Sequence, residues 1–351
     1  MTQPTPTPSV TNGPLLEIVD LATSFQTSSG RVQAVDGVNL SIRPGETLCI
    51  VGESGCGKSA TARSVLNLIE PPGRIDRGKV LWRGKSAGEA CDLLALDAKG
   101  EAMRRIRGRE ISMVFQEPSA SLSPMITIGA HLTEVLQVHL GTPKREARDI
   151  GIELLRKVGI PRPSERFDAY SFQLSGGMCQ RAMIALALAC NPKLLIADEP
   201  TTALDVTTQA RIIQLLRSLQ EETGLTLLFI THDLGVVAEI ADHVAVMYLG
   251  RVVEAGSVDA IFHEPKHPYT QALLKSVPRL GLGRKQRLQN IRGNVPHPTS
   301  RPSGCSFHPR CEVAIAGTCD TRRPPTVSLA ENRMVECVLH SSTPPAPEVV
   351  R

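Results

Sequence analysis

Gly52-Glu-Ser-Gly-Cys-Gly-Lys58-Ser59 is the stretch on which the fold turns. It fits the pattern G-x-x-x-x-G-K-[ST], with a short apolar run of strand type, Thr47-Leu-Cys-Ile-Val51, before it and a helical pattern over residues 60–69 after it. Glycines let successive backbone N–H groups face an anion, and the start of the helix adds positive potential. Lys58 can then reach the outer phosphates of a nucleotide, and Ser59 can bind Mg²⁺. Gly52, Glu53, Ser54, Gly55, Cys56, Gly57, Lys58, Ser59 and Ala60 are therefore candidate nucleotide-binding residues. A glycine turn with a fortuitous lysine would not require the flanking strand and helix.

Further along, the apolar run over residues 194–197 ends in Asp198-Glu199. A carboxylate at the tip of a buried parallel strand faces the ligand end of the sheet, where Asp198 can hold Mg²⁺ and Glu199 can orient and deprotonate attacking water. Strand-type runs over 225–230 and 244–248 alternate with helical patterns, which predicts an α/β fold with a largely parallel sheet. Together these features describe a P-loop NTPase. Between residues 130 and 173 the pattern turns helical, as in 151–158, which predicts an inserted helical subdomain over about 118–185.

The 351 residues allow one large domain and a smaller appendage. Hydrophobic residues at 41% and charged residues at 21% argue against extensive disorder, and a net charge of +4 does not call for nucleic acid. No apolar run approaches the ~20 residues of a membrane span, so a membrane role is expected to be peripheral. Residues 1–14, with four prolines and no charge, read as a disordered leader without signal-peptide character, and the protein is expected in the cytosol. The nucleotide cassette is expected over 15–262, a cysteine-bearing C-terminal extension over 263–340, and a flexible tail over 341–351. After about Gly250 prolines and glycines break the regular pattern.

Leu174-Ser-Gly-Gly-Met-Cys-Gln-Arg181 resembles the signature motif of the ABC ATPases. In that family Ser175, Gly176 and Gly177 would be offered across a dimer to nucleotide held by the partner's P-loop. Phe25 resembles the adenine-stacking aromatic, Gln116 the Q-loop glutamine, Asp205 the D-loop aspartate and His232 the switch histidine. The resemblance implies ATP with Mg²⁺ at Ser59, Gln116 and Asp198, and catalytic roles for Glu199, His232 and Gln116. Residues 115–129, residues 230–248 and His267-Pro-Tyr-Thr270 resemble the oligopeptide/dipeptide importer ATPases. Cys179 and Phe172 depart from that pattern, at positions that are not nucleotide ligands.

The family implies two transmembrane permease subunits, a second ABC ATPase, an extracytoplasmic solute-binding protein and a place on the cytoplasmic face of the inner membrane. Its solute would be a di- or oligopeptide; nickel, glutathione or another small solute is the alternative. A non-transport ABC ATPase would carry two cassettes or nucleic-acid-binding insertions, and neither is present in the sequence. A degenerate regulatory subunit is disfavoured by intact Lys58, Glu199 and His232.

Nine cysteines are present, five scattered and four crowded near the C-terminus as Cys305, Cys311, Cys319 and Cys337. Cytosolic disulfides are disfavoured, and the first gap is wider than a usual zinc pair. Four thiolates can hold a [4Fe–4S] cluster, as the resemblance to the family's extension implies, with zinc or free thiols as alternatives. Arg279, Arg284, Lys285, Arg287 and Arg292 form a basic stretch read as a solvated linker, with a membrane contact second.

Overall fold

A computed structural model describes residues 13–84, 90–117, 121–202, 204–276, 291–330 and 332–341. Residues 1–12 of the expected leader, Arg279, Arg284, Lys285 and Arg287 of the basic stretch, and all of the expected tail but Ser341 lie outside the described residues. Among the described residues no helix is long and apolar enough to cross a membrane.

The central element is β3 (Thr47–Val51), five residues buried on both faces. Its alternate side chains serve two cores: Cys49 and Val51 enter one, Leu48 and Ile50 the other. Such continuous apolarity belongs to an interior parallel strand. Parallel neighbours are β8 (Thr226–Ile230) and β9 (His243–Tyr248); β7 (Leu194–Asp198) joins β8, and β6 (Ile111–Val114) joins β7. The register aligns Ile50 with Ile230 and Ile230 with Asp198. The loops leaving β3, β8, β7 and β6 therefore emerge side by side at the carboxyl edge of the sheet, where open α/β sheets bind ligands.

On one face lies a second sheet, ordered β2-β1-β4-β5, that the alternation of strands and helices did not predict. Its strands β1 (Leu16–Thr27), β2 (Gly30–Ile42), β4 (Gly73–Trp82) and β5 (Cys91–Asp92) are antiparallel. Leu21, Val35, Val80 and Trp82 seal it against β3 and helix α1 (Lys58–Val65). The short helix α2 (Glu101–Ile106) adds Met103 to this core.

Helices α3 (Ile128–Leu140), α4 (Lys144–Lys157), α5 (Pro163–Phe167) and α6 (Gly176–Leu188) pack on one another. They span residues 128–188, where a helical subdomain is expected over about 118–185. Helix α7 (Val206–Thr223) follows β7, and α8 (Leu234–Ile240) follows β8.

The C-terminal segment does not stand apart as a small separate domain. Strand β10 (Arg251–Ser257) pairs with β9, β12 (Arg333–Glu336) pairs with β10, and β11 (Thr326–Ala330) pairs with β12, so the extension lengthens the main sheet to eight strands. Charges tie the seam: Arg251 bonds Asp36 of β2 at 2.6 Å and Glu336 of β12 at 3.0 Å, and Arg301 bonds Asp36 at 2.6 Å. Burial pushes the Asp36 carboxyl up, but the two arginines more than offset this and hold it below its ordinary value. Helices α9 (Val258–His263) and α10 (Pro268–Lys275) lie between β10 and these outer strands in sequence.

Candidate nucleotide site

The loop from Gly52 to Gly57 joins β3 to α1. A Cβ on Gly52 would lie 2.2 Å from the carbonyl oxygen of Met247, and Gly57 has φ +102° with Ala34 O only 2.1 Å from where its Cβ would stand. Neither position admits a side chain. Gly57 is also the cap residue of α1 and supplies no side-chain hydrogen bond, which leaves the first N–H groups of that helix open to an anion. Ser54 and Gly55 are exposed at the tip, while Cys56 is buried, its thiol pushed up by burial.

Lys58 is 6% exposed, and its Nζ donates to the loop's own carbonyls, Gly52 O at 2.8 Å and Glu53 O at 3.1 Å. The cation is thus held over the hollow of the loop. Ala60 continues α1 beside it.

Next to the loop, Ser59 Oγ donates to Asp198 Oδ1 at 2.9 Å. Asp198 is fully buried, and its Oδ2 has no hydrogen-bond partner. Burial raises its pKa, against the opposing influence of the Ser59 hydrogen bond. An orphaned carboxylate oxygen beside a serine hydroxyl suits a hard cation that takes oxygen ligands. Gln116, expected with these two, donates instead to Glu199.

Glu199 turns out of β7 at φ +49°, and its N–H is fixed to Ile230 O at 3.0 Å. Its carboxylate accepts from Gln116 Nε2 at 3.3 Å and Thr202 Oγ1 at 3.1 Å, and His232 Nδ1 lies 3.5 Å from its other oxygen. Gln116, Glu199 and His232, chosen from separate stretches of sequence, therefore meet at one carboxylate. Thr202 was not singled out; its spacing from Glu199 along the turn was the available signal.

Other expected residues lie apart from this cluster. Phe25 pairs with Gly73 across β1 and β4, its ring covering the glycine beside Ile69. Ser175 caps α6 by accepting from Met178 N at 3.3 Å, with Gly176 and Gly177 in its first turn. None of the described hydrogen bonds or ion pairs joins these three to the P-loop of the same chain. Asp205 caps α7 through Thr208 N at 3.0 Å and Thr208 Oγ1 at 2.7 Å, and those bonds lower its pKa. Of the two departures, Cys179 is buried and donates to Ser171 O, while Phe172 is 70% exposed and stacks on Tyr170.

Cys305, Cys311, Cys319 and Cys337 line one cavity with Phe307 and Val338. All four are free thiols, and burial pushes Cys305 up to about 11. Among the described residues, no group of three or more His, Cys, Asp or Glu is placed to hold a metal ion. The expected iron–sulfur ligand set is therefore not found ready-made among the described residues, although the four thiols line the same cavity.

Family comparisons agree with this geometry. The family model described as ABC transporter matches residues 35–202, and that described as oligopeptide/dipeptide transporter, C-terminal region matches 253–319. A Brucella ovis protein named as a peptide import ATP-binding protein is 51% identical over 331 residues, covering 93% of this chain and 97% of its own. The Bacillus subtilis oligopeptide transport ATP-binding protein OppD is 47% identical, covering 96% of this chain and 93% of its own. Among solved structures, a dimeric post-hydrolysis ATP-binding cassette bound to ADP and Pi is similar at TM-score 0.61 and 28% identity, over 69% of this chain and 98% of its own. With cassette fold, P-loop and C-terminal region all accounted for, the chain belongs to the ABC transporter ATPase family, in its oligopeptide/dipeptide transporter branch.

Proposed function

We propose that the chain hydrolyses ATP to drive import of di- or oligopeptides through an ABC transporter. The observation that carries the chemistry is the Glu199 carboxylate gathered by Gln116, Thr202 and His232 one residue from the Ser59–Asp198 pair. The peptide solute is taken from the relatives' names.

In this reading the P-loop N–H groups and Lys58 bind the phosphates, and Phe25 stacks on the adenine. Ser59 and Asp198, with Gln116 from the adjoining loop, would hold Mg²⁺, which supplies charge neutralisation at the outer phosphates when bound. Glu199 takes a proton from the attacking water as the new P–O bond forms. The γ-phosphorus bond to the bridging oxygen breaks, and ADP and inorganic phosphate leave. His232 orients Glu199 and the developing phosphate, and Asp205 braces the loop after the carboxylates.

Ser175, Gly176 and Gly177 serve the nucleotide of a second cassette. The support is their location on α6, bonded within their own helix, together with the dimeric state of the solved cassette. A second ABC ATPase, two permeases and an extracytoplasmic binding protein complete the assembly, with this chain peripheral on the cytoplasmic face. An apolar groove lined by Leu68, Phe115, Leu122, Val135 and Met183 begins at the residue before Gln116, and it offers a permease segment a seat coupled to the active site.

The isolated chain is expected to hydrolyse ATP slowly and to be activated on assembly with a partner ATPase and permeases. Steady-state hydrolysis in proteoliposomes, with and without peptide-loaded binding protein, measures this. Full rates from a demonstrably monomeric chain would overturn the composite site. Activation by a non-peptide solute alone would overturn the peptide assignment.

For the four cysteines we propose one [4Fe–4S] cluster, with zinc as the alternative. The support is their shared cavity and the chemistry of four thiols; on ligation each would lose its proton. Anaerobically purified protein is expected to absorb near ~400 nm and to carry about four irons per chain. Stoichiometric zinc without iron would replace the cluster with a zinc site, and neither metal would leave free thiols.

A further inference from the structure

Glu53 places an acid inside a loop built to hold phosphates. A carboxylate there repels an anionic ligand unless something neutralises it and turns it aside. The neutralising group comes from the C-terminal extension. Arg310 grips Glu53 with both ends of its fork, Nη1 to Oε2 at 2.6 Å and Nη2 to Oε1 at 3.0 Å, across 257 residues of sequence. The arginine side chain is 4% exposed and that of Glu53 25%, so water reaches the pair only from the carboxylate side.

The guanidinium is fixed on every side. Nε donates to Arg292 O at 3.0 Å, Nη2 also reaches Gly293 O at 3.4 Å, and Nη1 reaches Tyr248 Oη at 3.3 Å. It lies 5.8 Å from the ring centroid of Tyr248 and 5.9 Å from that of Phe307. From α10, buried Tyr269 accepts the backbone N–H of Glu53 at 2.9 Å. Glu53 is thus held by side chain and backbone, and both holds come from beyond β10.

We propose that Arg310 is a positioning residue of the nucleotide site: it neutralises Glu53 and sets the first turn of the phosphate loop for an anionic ligand. The C-terminal extension is then part of the ATP-binding machinery, and it acts on affinity through one ion pair. The inference rests on the nucleotide-binding reading of the P-loop.

Equilibrium binding of MgATP to the full-length chain tests it, with thermal denaturation in parallel. Arg310→Ala is expected to weaken ATP by about tenfold, because it leaves the Glu53 charge uncompensated beside the phosphates. Glu53→Gln in the Arg310→Ala background is expected to restore most of that affinity. Loss of the packing of Arg310 against Tyr248 and Phe307 would not be repaired by neutralising Glu53, so this rescue, with the denaturation midpoints beside it, separates positioning from stability. Where Arg310→Ala does not fold, Arg310→Gln, which loses the charge but keeps an amide donor, gives the same comparison. Wild-type affinity in the folded Arg310 variant, or no rescue by Glu53→Gln, overturns the inference. Failure of the wild-type chain itself to bind ATP would instead remove the nucleotide reading on which it stands.

Discussion

Glu199→Gln is expected to bind ATP as the unmodified chain does and to lose ~10²–10⁴-fold in turnover within the assembled transporter, the usual loss when a positioned base is removed. The amide is nearly isosteric with the carboxylate. Its oxygen can still accept from Gln116 Nε2 or Thr202 Oγ1, so the turn at φ +49° keeps most of its anchoring. What it cannot do is accept a proton from water. Binding should survive because Lys58 and the open N–H groups of α1 belong to a different loop. Single-turnover hydrolysis alongside equilibrium ATP binding separates the two effects. Equal turnover by Glu199→Gln and the unmodified protein would remove Glu199 from the role of base.

The cassette was legible because its chemistry is local. Glycines at 52 and 57 are forced by the close approach of Met247 O and Ala34 O, and Gly55 is favoured by its φ of +76°, so the P-loop announces itself in eight residues. Asp198 could be placed because a run of buried residues ends on it, and the parallel register then carries it to the P-loop. Other features depend on contacts that no short stretch encodes. The antiparallel sheet of β1, β2, β4 and β5 joins strands with polar residues on their outer faces, and its pairing depends on tertiary packing. The addition of β12 to β10 joins segments about eighty residues apart across a proline-rich connection. Arg310 was invisible for the same reason: in sequence it is a basic residue next to Cys311, and only the fold delivers it to Glu53.

Lys58→Ala is expected to abolish measurable ATP binding, a loss of at least about a hundredfold, in the range found when one partner of a desolvated charge pair is removed. The size follows from the lysine's surroundings. At 6% exposure it has already given up most of its water, and without nucleotide it is satisfied by Gly52 O and Glu53 O at 2.8 and 3.1 Å. Phosphate oxygens in the same hollow would replace neutral carbonyl acceptors with anionic ones, roughly doubling the strength of each hydrogen bond. Alanine removes the cation and also leaves Gly52 O without its lysine donor, at a cost of about 1–3 kcal/mol if water does not replace it, whereas Glu53 O keeps the Cys56 N–H at 3.3 Å. Some loss of thermal stability should therefore accompany the loss of binding. Lys58→Arg distinguishes the two: it keeps a charge that can pair with the carbonyls, but its planar fork is bulkier than the ammonium where Ala34 O and Met247 O crowd the loop backbone. Near-normal stability with weakened ATP binding in Lys58→Arg would locate the effect at the phosphates. Unchanged ATP affinity in a folded Lys58→Ala protein would show that the loop glycines and the start of α1 hold the nucleotide without it.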